Sequence, residues 1–471
     1  MVLTSESTQC TPWKWKQISF TIPVQKKRSS LCKLKHVVGK SDFQPVSGIS
    51  DRKNDRKIKK LPLEKDCLSV KDCISELPDD ILIAILSHLK LREAVRTSVL
   101  SKRWRYLWTF SQGILEFDAS DVRSLLDSVY YFLTSHRAPT IEELSIRFPG
   151  WGNVYYHYSP CKIHVWINVA IEKRVKKLVL DFINPHLYPS GQFDSLGSVS
   201  FTSLVSLHLI RARVSSQLIN FFLSNSPLLE VLCVEWTRRE PGHLKVCASS
   251  LTLKHLDLRH NEIGFLEISA PNLESFRFRT HGEKTSLVFK DVPRLSHASF
   301  GGCYGDSLIA QNLLRHSSLF AQLKSLELLL PAKPTLPEYF PHFPTLENLK
   351  HMQLSLSKQT DEGFRIFFCL MGASPSLHRS SLKLGSCSVQ KLTYTKSLEF
   401  TSRPKHQCLK VVEIVGFRED DNHDELVMHL AEYAALLEKI IIDPYQCSEV
   451  SRNRARNLQS KLPPSVKLEI F

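Results

Sequence analysis

A spaced pattern of large apolar residues constrains the fold of this chain more than any other feature of its sequence. Between residues 175 and 354 the motif L-x-x-L-x-L, in which L is apolar, recurs with middle positions at 178, 207, 232, 256, 276, 298, 326 and 352. Steps of this size, about 20–29 residues, are typical of stacked repeats. No single unit of this kind can bury its apolar residues alone, so the pattern predicts a solenoid with one continuous core.

Each repeat is predicted to supply one short strand, followed by a returning segment on the convex side of the solenoid. Alternate residues of a strand point to opposite faces, so the apolar positions face the core and the residues between them face the concave surface. The steps match those of leucine-rich repeats. An ordinary α/β domain is the alternative, because the steps are irregular and the asparagine of the standard repeat is missing.

Residues 73–108 form a different kind of segment, with three short helical patterns and more apolar surface than so small a piece can bury. An apolar stripe recurs every four residues along the first predicted helix, at Leu77, Ile81, Ile85 and Leu89. A second helix is predicted over Leu91 to Leu100, and Ser101 is predicted to cap a third that carries Trp104. Either this segment is a helical hairpin buried against the rest of the chain, or it is half of an interface.

The same residues carry a resemblance to a known family. Two consecutive stretches resemble the F-box of plant F-box proteins. They read L-P-D-D-I-L-x-x-I-L-S-x-L and then E-A-V-R-T-S-V-L-S-K-R-W-R-x-L-W. The resemblance implies a partner, a Skp-type adaptor, and through it a cullin and a RING subunit. The adaptor-binding residues expected from it are Leu77, Pro78, Ile81, Leu82, Ile85, Leu86, Leu89, Val99, Leu100, Ser101, Arg103 and Trp104.

The resemblance to plant F-box/leucine-rich-repeat proteins continues through the repeats. Cys408–Ile414 with Gly416-Phe417 resembles the FBD-type ending of that family, and a helix from Asp424 to Lys439 is expected after it. The predicted fold is an α+β repeat protein in three parts after a basic, disordered tail at 1–70. These are a helical F-box (73–115), an irregular leucine-rich-repeat solenoid with a curved β-sheet and convex helices (116–400), and an FBD-like α/β end (401–471).

Charged residues are predicted to line the concave face of the solenoid, where Arg259, Arg277 and Arg279 come close together. We expect this patch to recognise a protein surface with some acidic character, although solvated strand residues would give the same pattern. The candidate substrate-binding residues are His208, Glu235, Asp257, Arg259, Arg277, Arg279 and Glu327.

The net charge of +15 is concentrated in the tail. Residues 1–70 hold 15 Lys and Arg against 6 Asp and Glu, whereas the remaining chain is nearly balanced. The tail clusters suit a nuclear import signal, a nucleic-acid contact, an organellar transit peptide or a solvated segment. The twelve cysteines form no C-x-x-C motif, which predicts reduced thiols. No apolar run is long enough to cross a bilayer. Together these features predict a nuclear or cytoplasmic protein.

Motifs of catalysis are absent from the sequence, so we expect no enzyme, no cofactor and no metal. The sequence lacks the nucleotide-binding, metalloprotease and hydrolase motifs G-x-G-x-x-G, G-x-x-x-x-G-K-[ST], H-E-x-x-H and G-x-S-x-G. The favoured function is the substrate-recognition subunit of a ubiquitin ligase. The alternatives are a leucine-rich-repeat scaffold outside any ligase and a nucleic-acid binder that uses the tail.

Overall fold

A parallel β-sheet of fourteen strands runs through the part of the chain that the structure describes. The structure is a computed structural model. It describes residues 73–118, 131–132, 134–148, 161–182, 200–212, 216–236, 242–247, 252–261, 263–280, 285–307, 316–331, 344–386, 405–418 and 423–471. All of them belong to one compact unit, Lys71–Phe471. The predicted tail, 1–70, lies outside the described residues.

The strands of the large sheet follow one another in chain order, and each pairs in parallel with the next. They are β1 (Ile114–Asp118), β2 (Glu143–Phe148), β3 (Lys177–Phe182), β4 (Ser206–Ala212), β5 (Val231–Trp236), β7 (His255–Asn261), β9 (Ser275–Thr280), β11 (His297–Gly302), β12 (Ser325–Leu330), β13 (His351–Lys358), β14 (Arg379–Ser386), β15 (Val411–Phe417), β16 (Lys439–Pro444) and β17 (Lys467–Ile470).

The returning segments between these strands are helical at both ends of the array and extended in its middle. Three of them form a second parallel sheet, with β6 (His243–Cys247), β8 (Phe265–Ser269) and β10 (Ser286–Phe289). The helices among the repeats are α3 (Cys161–Glu172), α4 (Ser216–Asn225), α5 (Cys303–Ser307), α6 (Ser317–Gln322), α7 (Asp361–Gly372), α8 (His423–Tyr433) and α9 (Glu449–Leu458). The predicted repeat fold is therefore confirmed, with strands replacing convex helices in the middle repeats.

The predicted middle anchors of the repeats meet one another in register along the sheet. Leu178 pairs with Leu207, which pairs with Leu232, and the series continues to Met352. Every one of these anchors is at most 3% exposed. The L-x-x-L-x-L pattern thus identified the residues that form the core. It did not identify β14, because the anchor position there is Ser380, which is fully buried.

A repeated backbone contact aligns the start of each strand with the strand before it. The carbonyl of Lys254 accepts hydrogen bonds from the N–H groups of Glu274 (2.8 Å) and Ser275 (3.0 Å). The same double contact recurs at the carbonyls of Lys176, Val205, Glu230, Glu274, Ser296, Lys324, Lys350, His378 and Lys410. Because a one-residue slip would turn the apolar face outward, this contact and the buried anchors together fix the register.

A helical module precedes the sheet and contains α1 (Asp79–Ser87), α2 (Leu91–Arg96) and two 3₁₀ helices, Thr97–Val99 and Trp104–Phe110. Its last segment leads directly into β1. The hydroxyl of Ser87 donates to the carbonyl of Ile83 (2.8 Å) and accepts from the N–H of Gln112 (3.0 Å). The end of α1 is thereby fixed to the residues that begin the sheet.

The C-terminal region continues the sheet. Strand β15 pairs with β14, and β16 pairs with β15, so the ladder crosses the boundary predicted at residue 400. The helix expected from Asp424 to Lys439 ends at Tyr433, because Lys439 already belongs to β16 and pairs with Val411. Among the described residues, no helix combines the length and apolarity required to span a membrane.

Gly113 provides a test of how the helical module joins the sheet. A Cβ atom at this position would lie 1.7 Å from the carbonyl oxygen of Ser87, a backbone atom that cannot move aside alone. We therefore expect Gly113→Ala to lower the free energy of unfolding by about 1–3 kcal/mol. Gly264 has no atom within 4 Å of its hypothetical Cβ, so Gly264→Ala is the matched control. Equal effects of both substitutions in urea denaturation would contradict the close packing at this junction.

His136 predicts a pH dependence of stability. Its Nε2 donates to the carbonyl of Ser111 (2.8 Å), and burial, opposed by this bond and reinforced by Lys173, lowers its pKa from 6.5 to about 4. Below pH 6.5 the unfolded chain binds a proton that the folded chain excludes, so stability falls as the pH decreases towards 4. The loss is on the order of 2–3 kcal/mol. His136→Gln should show a shallower decline in thermal denaturation at pH values from 7 to 4, and an unchanged slope would contradict this origin.

Candidate functional site

Two surfaces are candidates for binding, and the first is the outside of the helical module. Its inside is a small core in which Leu82 and Leu86 are fully buried and Trp104, Leu107 and Trp108 are nearly so. The bond from the N–H of Leu82 to the carbonyl of Pro78 begins α1, and Asp79 and Asp80 occupy its first turn. This core turns the neighbouring residues of α1 outward.

Large apolar side chains cover the outside of this module. Ile81 and Ile85 are 44% and 42% exposed, and Val99 and Leu100 are 86% and 65% exposed. We refer to Ile81, Ile85, Val99 and Leu100 as the apolar face. Exposed apolar surface of this kind is typical of a protein-binding site.

Arg103 ties the third helical segment of the module to the first. Its Nε donates to Asp79 Oδ1 (2.8 Å), and its two terminal nitrogens donate to the carbonyls of Ser75 and Leu77. Ser101 Oγ accepts from the N–H of Trp104 (3.4 Å), but Arg103 occupies the N-cap position of the helix that begins at Trp104, so Ser101 was predicted as the cap two residues too early. These contacts hold the turns before α1 against the segment that carries Trp104.

The second surface is the concave face of the large sheet, where the residues between the apolar anchors line up in rows. Register places His208 beside Cys233, Cys233 beside Asp257 and Asp257 beside Arg277. The row continues through Ser299 to Glu327. Glu235 is in register with Arg259 on the same face, and Arg279 follows Arg277 by two residues on β9. The structure therefore brings together all seven predicted substrate-binding residues on this face.

The three arginines of this face are compensated by three carboxylates. Arg259 contacts Asp257 (2.6 Å) and Glu235 (4.0 Å), and Arg277 contacts Asp257 (3.2 Å) and Glu327 (3.8 Å). Arg279 contacts Glu327 at 3.3 Å. The hydrogen bonds that Arg259 donates to Asp257 raise the pKa of Arg259 further above its usual range. We refer to these six residues as the central network, and its formal charges cancel.

Two more residues donate hydrogen bonds to the central network, and the sequence could have revealed them. Ser299 Oγ donates to Glu327 Oε2 (2.9 Å), and Gln353 Nε2 donates to Glu327 Oε1 (3.0 Å). Both residues follow a middle anchor directly, as do His208, Asp257, Arg277 and Glu327. The residue that directly follows each middle anchor therefore identifies every member of this row on the concave face.

Cys233 and His208 are neighbours on this face, but their environment does not suit nucleophilic catalysis. Burial, with Asp257 as the next cause, raises the pKa of the Cys233 thiol to about 11. Burial also lowers the pKa of His208, assisted by Lys177. A thiol with so high a pKa is protonated near neutral pH, and only the thiolate is a strong nucleophile.

Comparison with known proteins matches the two parts of the chain that carry these surfaces. A family model described as At1g61320/AtMIF1, LRR domain, matches residues 120–465, and an F-box domain model matches residues 74–112. The chain belongs to the plant F-box/leucine-rich-repeat family. The helical module is its F-box, and the large sheet is formed by its repeats.

Curated relatives come from Arabidopsis thaliana. F-box/LRR-repeat protein At1g55660 is 29% identical over 303 residues, which are 56% of this chain and 81% of the relative. F-box/FBD/LRR-repeat protein At2g04230 is 35% identical over 158 residues, 31% of this chain and 33% of the relative. With three further F-box relatives, the aligned part spans 63–66% of their length. That residues 401–471 are an FBD-like end remains a prediction, since the repeat model continues to residue 465.

The predicted adaptor-binding residues of the F-box fall into three groups. Leu82, Leu86 and Trp104 are buried, so they support the surface and cannot themselves contact a partner. Leu77 and Leu89 are half-buried. The exposed residues are Pro78, Ile81, Ile85, Val99, Leu100, Ser101 and Arg103.

Glu327 tests whether the central network stabilises the fold. Glu327→Gln removes the charge that compensates Arg277 and Arg279, and we expect a loss of about 1–3 kcal/mol in the free energy of unfolding. Among the described residues, Glu413 forms an ion pair with Arg379 alone (3.0 Å), and the Arg379 side chain is 47% exposed. Glu413→Gln should therefore cost less than about 1 kcal/mol. Similar losses in urea denaturation for the two variants would contradict a cooperative network.

Proposed function

We propose that this chain is the substrate-recognition subunit of an SCF-type (Skp–cullin–F-box) E3 ubiquitin ligase. Its F-box binds a Skp-type adaptor, and through it a cullin and a RING subunit, while the concave face of the repeats holds a target protein. Proteins of this family are generally non-catalytic adaptors. The chain would then contribute proximity and orientation, with ubiquitin transfer on other subunits. We propose the nucleus and/or cytoplasm as its location.

The apolar face of the F-box is the observation that supports this proposal. Val99 and Leu100 expose most of their side chains, although the module has a core in which Leu82 and Leu86 are fully buried. Leaving large apolar groups in water forgoes roughly 1.5–3 kcal/mol for each fully exposed side chain. A partner with an apolar groove would recover this free energy, which is the interaction expected of an adaptor.

Rigid attachment of the F-box to the repeats also supports the proposal. The bond between Ser87 and Gln112 and the close approach of Gly113 to Ser87 join the two parts. A ligase receptor needs such a junction, because a substrate held on the repeats must keep a defined position relative to the adaptor. A repeat scaffold outside any ligase would bind its partners equally well with a loose junction.

Exchange of an exposed apolar residue for a charged one tests adaptor binding. Val99→Asp should weaken binding of a purified Skp-type adaptor at least about tenfold, because the carboxylate would be buried without a partner. The matched control is Val450→Asp, since Val450 is 63% exposed on α9, far along the chain from the F-box. Isothermal titration calorimetry with the full chain gives both affinities.

Two results would overturn the proposal. The first is a folded wild-type chain that does not bind the adaptor, which would favour a scaffold or a nucleic-acid binder that uses the tail. The second is an equal loss of affinity in Val99→Asp and Val450→Asp, which would show that the apolar face of the F-box is not the contact.

A further inference from the structure

Uncompensated positive charge lies on the edge of the concave face where the strands begin, away from the central network. We refer to this surface as the basic rim. It consists of five exposed side chains at the starts of β11 to β14, namely His297, Lys324, Lys350, His351 and His378. The predicted site for an acidic partner was the arginine cluster, but there the carboxylates already balance the charge.

Strand pairing places the five residues of the basic rim at the same end of neighbouring strands. Ser325 is in register with His297 on one side and with His351 on the other, and His351 is in register with Arg379. Lys324, Lys350 and His378 directly precede these strands, and their backbones are linked in series by the double carbonyl contacts. Neighbouring strands lie about 4.8 Å apart, so the rim extends over roughly 15 Å.

Carboxylates compensate the cations that flank the rim but not those within it. Arg379 contacts Glu413 (3.0 Å), and Lys410 contacts Glu438 (2.7 Å). Within the described part of the chain, the ammonium groups of Lys324 and Lys350 have no ion-pair partner. The rim therefore carries formal positive charge that a ligand could neutralise.

The surroundings of His351 show the same excess of positive charge. Its pKa is lowered by burial first, and then by Arg379, His378, His297 and Lys350, all of which are cationic when protonated. No carboxylate contributes to this shift. His378 donates its Nδ1 hydrogen to the carbonyl of Ser376 (2.6 Å). An anion at the rim would relieve the repulsion among these groups.

We propose that the basic rim binds an Asp- and Glu-rich peptide segment of the protein that the repeats hold. The inference rests on the proposed function and identifies the chemistry of the substrate at this part of the sheet. Five positive or protonatable groups over roughly 15 Å match about four to five residues of an extended chain. Single-stranded nucleic acid is bound mainly by aromatic side chains that stack on its bases. Among the described residues between 285 and 386, no large aromatic side chain is exposed, which argues against such a ligand.

Fluorescence anisotropy with the full chain bound to a Skp-type adaptor tests the proposal. The ligand is a labelled peptide of ten residues rich in Asp and Glu, and the reference is the same peptide with Asn and Gln. Lys350→Glu should weaken binding of the acidic peptide about tenfold. Lys461→Glu, an equal charge change at an exposed position near the C-terminus, should leave it unchanged.

The outcomes separate this inference from the proposed function, because adaptor binding is measured in the same samples. Equal binding of acidic and amide peptides, or equal losses in Lys350→Glu and Lys461→Glu, would overturn the rim as an acidic-peptide site while leaving the ligase proposal intact. Tighter binding of single-stranded DNA than of the peptide, sensitive to Lys350→Glu, would also overturn it. Loss of adaptor binding by the wild-type chain would instead overturn the proposed function.

Discussion

Pairing of each strand with the next in one register is the constraint on which the rest of the molecule depends. The apolar anchors, such as Leu256 and Phe276, are buried only because a neighbouring strand places its own anchor beside them. The double contacts at carbonyls such as Lys254 repeat this alignment at nearly every strand start. The same register that fills the core arranges the concave face in rows, so the central network and the basic rim follow directly from it.

The junction between the F-box and the sheet joins the two candidate binding surfaces into one body. Ser87 at the end of α1 contacts Gln112, and Gly113 passes so close to Ser87 that a larger residue would collide with its backbone. Arg103 fixes the other end of the F-box by bonding to the segment before α1. A partner on the apolar face and a partner on the repeats would therefore be held at a defined separation, as the proposed role in ubiquitin transfer requires.

The sequence predicts the repeats well where the anchors are large and apolar, and less well elsewhere. Strand β14 does not fit the apolar pattern because its anchor is Ser380, which is nevertheless as buried as the leucine anchors. In the F-box the spacing of four identified a stripe through Ile81 and Ile85, but the adjacent stripe through Leu82 and Leu86 forms the core. Periodicity shows that a helix is apolar, and only packing shows which apolar side faces inward. Likewise, the composition of the concave face revealed its arginines but not their compensation, because ion pairs between strands depend on register.

Hydrogen exchange of the full chain, with and without a Skp-type adaptor, tests most directly that the F-box and the repeats are separate binding surfaces on one rigid body. The account predicts that the adaptor slows exchange within residues 73–110 and leaves the amides of the concave strands unchanged. Protection concentrated on the concave strands, with none in residues 73–110, would contradict it.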